Sequence, residues 1–367
     1  MRISIDYNRH VYKRDAVYIT AGLQTGIAFR YYRIGENTKE NNLAFSHFFI
    51  NYMKRICDKK VECQIGKTVS SVSIKSSTET MFTDLRELLN TLNNLELDQQ
   101  TFIEIKNETV ENFERVYKDG SFRSRYKALE IADIVKGFSF GLLVNNLDSL
   151  NYESFCELYQ DLIRKGKCAV YVNGNIRDLE LDELEELKSI SEDASDFPIV
   201  CGKQIDPYLL DDAHIIETAR EACNTSVLHF SFPESISILD RYLWMALESE
   251  RIPYRDRETT VDAYDASIIV SMPDVTALKE SFSGSLKNDQ FQNARNTVLA
   301  KYSKWLKKSP CLFNASYVEM KMNGCSLVEF LQTVDGLDYE SYLNAVHHIR
   351  PLICEGQIVM RREVFNG

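Results

Sequence analysis

The sequence predicts an α+β protein of two tandem, similarly built domains, each a largely antiparallel sheet packed on one side by helices. Three observations predict this. Short runs of β-formers bounded by Gly, Asn and Pro alternate with longer stretches carrying apolar residues at helical spacing. The order of these elements in the second half repeats that of the first. A chain of 367 residues is also longer than a single core of ordinary size accommodates. The expected division is a first domain at 1–176, an acidic linker at 177–206 and a second domain at 207–367.

Ile3–Tyr7, Ala16–Ala21 and Ile27–Ile34 read as a strand and a hairpin, with Gly22 and Gly26 at the turn. A polar stretch then leads into Asn42–Arg55, a buried helix with one polar seam. Glu62–Gly66 and Val69–Ser76 read as strands. Met81–Leu92, the long acidic Asp98–Tyr117, Arg123–Val135 and Tyr152–Arg164 read as helices. Cys168–Val172 is a short apolar strand ended by Asn173-Gly174-Asn175, and the acidic run from Arg177 is the solvated face of a helix beside the linker. In the second half, His214–Ala222 and Ser226–Phe232 alternate like a hairpin, and Ile236–Glu248 is an amphipathic helix. Val261–Met272 is strand-like, Val275–His348 mainly helical, and Leu352–Arg361 a closing strand.

Composition excludes several classes. A net charge of −11 and a pI near 5.2 argue against a nucleic-acid binder, which needs clustered Lys and Arg to displace counterions. No apolar run is long enough to span a bilayer, and the first fifteen residues carry charges where a secretory leader needs an apolar stretch, so a cytoplasmic protein is expected. Nine cysteines, without a Cys-x-x-Cys pair, fit reduced core thiols.

The seam of the Asn42–Arg55 helix holds His47, Ile50 and Asn51 on one face. Alone, a histidine on an apolar helix is most often a hydrogen-bonded core residue. Glu104 and Glu111 lie seven residues apart on one face of the acidic helix, a spacing common on solvated helices. Arg257 and Tyr264 stand seven apart just before a strand. His10, His214, His229, His347 and His348 fall in other elements, and Ser283-Gly284-Ser285 is too slight for a glycine-rich loop.

Taken together, Ala44-Phe45-Ser46-His47-Phe48-Phe49-Ile50-Asn51-Tyr52-Met53, the Glu104/Glu111 pair and the Arg257/Tyr264 pair resemble the insulinase/pitrilysin/mitochondrial-processing-peptidase family. The resemblance covers nearly the whole chain in layout. It implies a zinc helix in the first domain, with two histidines as ligands and a glutamate activating water, and a third ligand at the position of Glu111. It implies that Arg257 and Tyr264 hold the substrate backbone. The departures decide the expectation. Ile50 stands where the water-activating carboxylate belongs, and Asn51 where the second histidine does, leaving His47 and Glu111 as two ligands where zinc needs three. The resemblance therefore implies a non-catalytic chain with no cofactor of its own. Its partner would be a zinc-bearing catalytic subunit of the same family in a heterodimer, and its substrate a peptide precursor. Length and truncated motif resemble the non-catalytic members that help to mature bacteriocin precursors. The alternative is a peptide-binding or scaffold protein with no peptidase partner.

Overall fold

The computed structural model describes residues 2–26, 41–57, 61–94, 97–117, 119–131, 147, 150–189, 214–219, 223–232, 235–252, 260–263, 267–272, 284–349 and 352–362. The first sheet is built from β1 (Arg2–Arg9), β2 (Val17–Leu23), β3 (Val61–Ile65), β4 (Ser70–Ser76) and β5 (Lys167–Gly174). The second is built from β6 (His214–Ala219), β7 (Cys223–Ser231), β8 (Thr260–Ala263), β9 (Ser267–Met272) and β10 (Leu352–Arg362). The strand orders are β1-β5-β2-β4-β3 and β6-β10-β7-β9-β8. Renumbered within each sheet, both read 1-5-2-4-3. In each, only the first and last strands pair in parallel, and the remaining pairs are antiparallel. This common topology is the strongest sign of a repeated design.

It also corrects both expected hairpins. Both edges of β2 are taken over Val17–Leu23, by β4 on one side and β5 on the other. β6 and β7 do not pair either, because β10 lies between them. A strand drawn from the far end of each repeat displaces the neighbour in sequence. Residues 27–34 lie outside the described residues.

The helices are α1 (Asn41–Ile56), α2 (Met81–Asn93), α3 (Gln99–Tyr117), α4 (Gly120–Ile131), α5 (Tyr152–Lys165) and α6 (Asp178–Ser189), followed by α7 (Ile238–Ser249), α8 (Asn288–Lys308), α9 (Pro310–Met322), α10 (Leu327–Gly336) and α11 (Tyr339–Ile349). Several begin where the sequence supplies a cap. The Asn151 side chain accepts from Ser154 N at the start of α5, and Ser237 accepts from Asp240 N at the start of α7. Pro310 occupies the first turn of α9, where its missing N–H costs nothing.

One face of the first sheet presents Val17, Ile19, Ala21, Leu23, Val170 and Val172 to α1, α2, α3 and α5. At its centre Phe48 lies 4.5 Å from Phe155 and 4.8 Å from Phe102, ring centre to ring centre, and all three are buried. Each such side chain contributes about 1.5–3 kcal/mol by leaving water. This is the helical layer the sequence implied, on one of the sheet's two faces.

The sheet's other face is small and polar, and α9, from the far end of the chain, covers it. Asn314, fully buried, donates to Tyr18 O at 3.1 Å and accepts from Asn173 Nδ2 at 3.3 Å. Thr20 and Ser73 share a hydroxyl hydrogen bond of 2.8 Å, Tyr317 stacks on Tyr171, and Glu319 accepts from Thr68 N and Thr68 Oγ1, both at 2.8 Å. The contact is close enough that a Cβ on Gly22 would stand 2.8 Å from Val318 Cγ2. The second sheet receives α4 in the same manner. α4 lies against β7, β9 and β10, with Ser124 and Ala128 fully buried and Ser124 Oγ accepting from Thr225 Oγ1 at 2.8 Å.

The compact units consequently do not follow the linear division at 176 and 207. The stretch Asn112–Phe140, which contains α4, groups with the second unit, and Tyr302–Leu327, which contains α9, groups with the first. Each helix is placed by the sheet it covers and not by its neighbours in sequence. The acidic run after Arg177 is a helix docked on the first unit, with Leu184 fully buried and Asp178 paired with Arg9 at 2.6 Å. Residues 190–206 of the expected linker lie outside the described residues.

Because Val318 is branched at Cβ and cannot swing aside cheaply, Gly22→Ala is expected to lower stability by about 1–3 kcal/mol. Adding Val318→Ala should cost less in that background than alone, a coupling readable as a double-mutant cycle in urea.

Candidate functional site

α1 is held by one face and carries its seam on another. Phe45, Phe48, Phe49, Tyr52 and Met53 are buried in the first core, and Ser46 Oγ donates to Thr25 O. Lys54 and Arg55 in the last turn suit the negative end of the helix dipole. On the seam, His47 keeps partial contact with solvent but is surrounded densely enough that burial holds its pKa down to about 4, with the Lys54 charge adding in the same direction. Its imidazole is neutral at neutral pH. Ile50, 5% exposed, belongs to the core cluster itself.

Asn51 is committed elsewhere. Its Nδ2 donates to Thr109 Oγ1 at 2.8 Å, and that hydroxyl donates onward to Ile105 O at 2.7 Å, so α1 and α3 are braced by an amide–hydroxyl–carbonyl chain. Thr109 is 1% exposed. The sequence reading missed this residue. Its one signal was position: Thr109 is the polar member of the stripe Phe102, Ile105, Thr109 and Phe113, spaced three or four apart, all four buried.

That stripe fixes where the glutamates point. At 100° per residue, Thr109 and Glu111 lie about 200° apart around α3, and Glu111 is exposed. Glu104 is on the side of Glu111 and binds Arg55 Nη2 at 2.7 Å, while Glu108 meets Arg55 Nη1 at 3.2 Å. With all three side chains roughly half exposed, these are weak surface pairs. The acidic stripe faces outward, and the side of α3 that meets Asn51 offers a hydroxyl.

A zinc ion does not fit this donor set. Of the positions the resemblance assigns, His47 presents an imidazole, Ile50 an aliphatic chain, and Asn51 an amide already bonded to Thr109, while Glu111 points away from the face that meets Asn51. Among the described residues no group of three His, Cys, Asp or Glu stands close enough to share a metal. The helix in the same place of the second unit, α7, carries a buried ion pair instead. Glu248 Oε2 lies 2.6 Å from Arg251 Nε, with Tyr342 OH 3.4 Å from Glu248 Oε1, which ties the end of α7 to α11. Arg257 and Tyr264 lie outside the described residues. His214 and His229 fall on β6 and β7, and His347 and His348 on α11.

No family model matches the sequence, and no curated protein does. Solved structures match in fold. An M16-like peptidase from Alicyclobacillus acidocaldarius superposes with a TM-score of 0.67 at 9% identity, covering 97% of this chain and 95% of that one. A chain of complex III2 from Candida albicans gives 0.62 at 9% identity, covering 97% and 93%. Pitrilysin gives 0.59 at 9% identity, covering 99% of this chain and 43% of its own. The chain thus has the M16 peptidase-like fold, in which likeness extends over both units.

Two outcomes follow from the seam. The ring resonances of His47 should stay those of a neutral imidazole from pH 8 down to about 5, in an NMR titration. Since its folded pKa lies below the unfolded value of about 6.5, the unfolded chain takes up the proton first, and stability falls as pH drops from about 6.5 to about 4. His47→Leu should flatten the stability–pH slope in that window. Separately, restoring the motif with Ile50→Glu and Asn51→His should not produce stoichiometric zinc by metal analysis, because α3 still turns Thr109 toward the seam.

Proposed function

We propose that this chain is the non-catalytic subunit of a heterodimeric zinc metallopeptidase, in which it forms part of the chamber and holds the peptide substrate for a catalytic partner. The observation that carries the reading is the filled seam: Ile50 in the core and Asn51 bonded to Thr109 occupy the places where the fold's hydrolases need a general base and a ligand. Loss of one acid/base group alone slows such chemistry by orders of magnitude. The zinc of the complex is assigned to the partner, and none to this chain. The substrate-holding role is assigned to Arg257 and Tyr264, by the resemblance and by their place in sequence, Arg257 ahead of β8 and Tyr264 ahead of β9. A bidentate or paired clamp on the peptide backbone orients it without doing chemistry.

The finer form of the proposal is leader removal from a thioether-bridged bacteriocin precursor in the cytoplasm, as in the AlbE-type proteins of subtilosin biosynthesis. It is supported by length and by the truncated motif. Among the described residues no helix is long and apolar enough to cross a membrane. The second reading, a scaffold without a peptidase partner, is favoured by the likeness to a chain of complex III2 over nearly its full length.

The purified chain is expected to carry no stoichiometric zinc and to cleave no precursor, with cleavage appearing when a family member with an intact His-x-x-Glu-His helix is added. Autonomous cleavage would overturn the proposal, and precursor binding indifferent to any second protein would favour the scaffold. Within the complex, Arg257→Ala or Tyr264→Phe should lower cleavage by roughly ten-fold or more while co-elution of the subunits persists.

A further inference from the structure

We infer that the end of α8 and the loop between β1 and β2 form a docking site for a short acidic stretch of polypeptide. The protein carries 54 acidic against 43 basic residues, so a coherent basic surface has to be assembled against the average. The fold assembles one from opposite ends of the chain. Tyr12 OH donates to Leu306 O at 2.9 Å, which lays the loop carrying Lys13 and Arg14 against the last turns of α8. There Lys304, Lys307 and Lys308 are all exposed, as are Lys13 and Arg14. None of these five makes an ion pair with a described residue. Lys307 stands near His10 on the loop: burial and the Lys307 charge both hold its imidazole below its ordinary pKa. All of these residues belong to the first unit.

The lysines at the end of a helix satisfy its dipole, and that alone would explain one or two of them. It does not explain Lys13 and Arg14, which come from a separate loop, nor the apolar atoms set among the charges. Val11 is 80% exposed at the tip of that loop, and Trp305 is half-buried on α8, about 60° from Lys308 around the helix. Cations interleaved with an aromatic ring and an aliphatic tip suit a chain that presents carboxylates and some apolar surface together.

The size of the occupant follows from screening. At physiological salt the field of a charge fades over about 8 Å. A short acidic segment laid across the patch therefore meets the local cations and little else. An anionic membrane or a nucleic acid extends far beyond the patch and meets the rest of a molecule whose net charge is −11, which repels it. The same electrostatics that exclude a large polyanion admit a small one.

The protein supplies its own reporter. Its two tryptophans are Trp305, within the patch, and Trp244, which is 6% exposed in the second unit. Titrating the full chain with a short peptide of alternating glutamate and glycine should change the intrinsic fluorescence at low salt, and Trp305→Phe should abolish that change. Lys304→Glu with Lys308→Glu should weaken binding by roughly ten-fold or more, as should raising salt several-fold. The control pair Lys75→Glu with Lys287→Glu, exposed lysines elsewhere that alter net charge equally, should leave it unchanged. Absence of a signal at low salt would overturn the proposal, as would equal weakening by the control pair. So would tighter binding, through the same lysines, to phosphatidylserine vesicles or single-stranded RNA. The test reads binding by this chain alone and stands or falls apart from any peptidase activity.

Discussion

Each sheet depends on the insertion of its last strand between its first two. β5 reaches back to separate β1 from β2, and β10 does the same between β6 and β7. Until that strand arrives, β1 has no hydrogen-bonding neighbour among the described strands, and β2 has β4 on one side only. The helices α1 to α5 and α7 to α11 are therefore carried on excursions whose two ends must meet in one sheet. Closing such long loops costs entropy before any pairing is gained, so a fold of this order is assembled late and cooperatively. The buried face of β5, with Cys168, Val170 and Val172 in the first core, supplies the apolar gain that makes the insertion worthwhile.

α1 is kept in place chiefly by its apolar side chains. A hydrogen bond such as Asn51–Thr109 contributes about 0.5–1.5 kcal/mol, whereas each of the buried aromatic side chains on the helix contributes more than that. The helix is seated by Phe45, Phe48, Phe49 and Tyr52, and its seam is a secondary brace. Side chains at the seam can therefore vary with the backbone undisturbed. Ile50 shares the core with those aromatic side chains, while Asn51 reaches across to α3.

Most elements were legible in the sequence because their causes are local. The alternation in Val17–Leu23, the apolar periodicity of α2 and α3 and the glycine that ends β5 each act within a few residues. Strand order was not legible, since nothing in Arg2–Arg9 or Val17–Leu23 indicates that Lys167–Gly174 lies between them. The two expected hairpins failed for that reason. The exchange of α4 and α9 was hidden likewise. Asn314, Ser73 and Asn173 read as ordinary polar residues until the fold brings them together under one helix. At the candidate site, the substitutions at positions 50 and 51 were visible by their spacing from His47. The partner of Asn51 was not, because Thr109 is selected by the rotation of α3 and not by its distance along the chain.

The exchange of helices sets an order on the making of the molecule. As the chain leaves the ribosome, α4 emerges before any strand of the sheet it will cover, and it must wait with Ala128 and Ser124 unburied. The first sheet, although all its strands exist once Gly174 has been made, keeps a bare polar face until Met322 follows. Neither repeat is a finished product of its own stretch of message. A chain stopped short of α9 would present the seat of Gly22, Thr20 and Asn173 to whatever else is at hand, which makes the closing third of the polypeptide a quality check on the opening one.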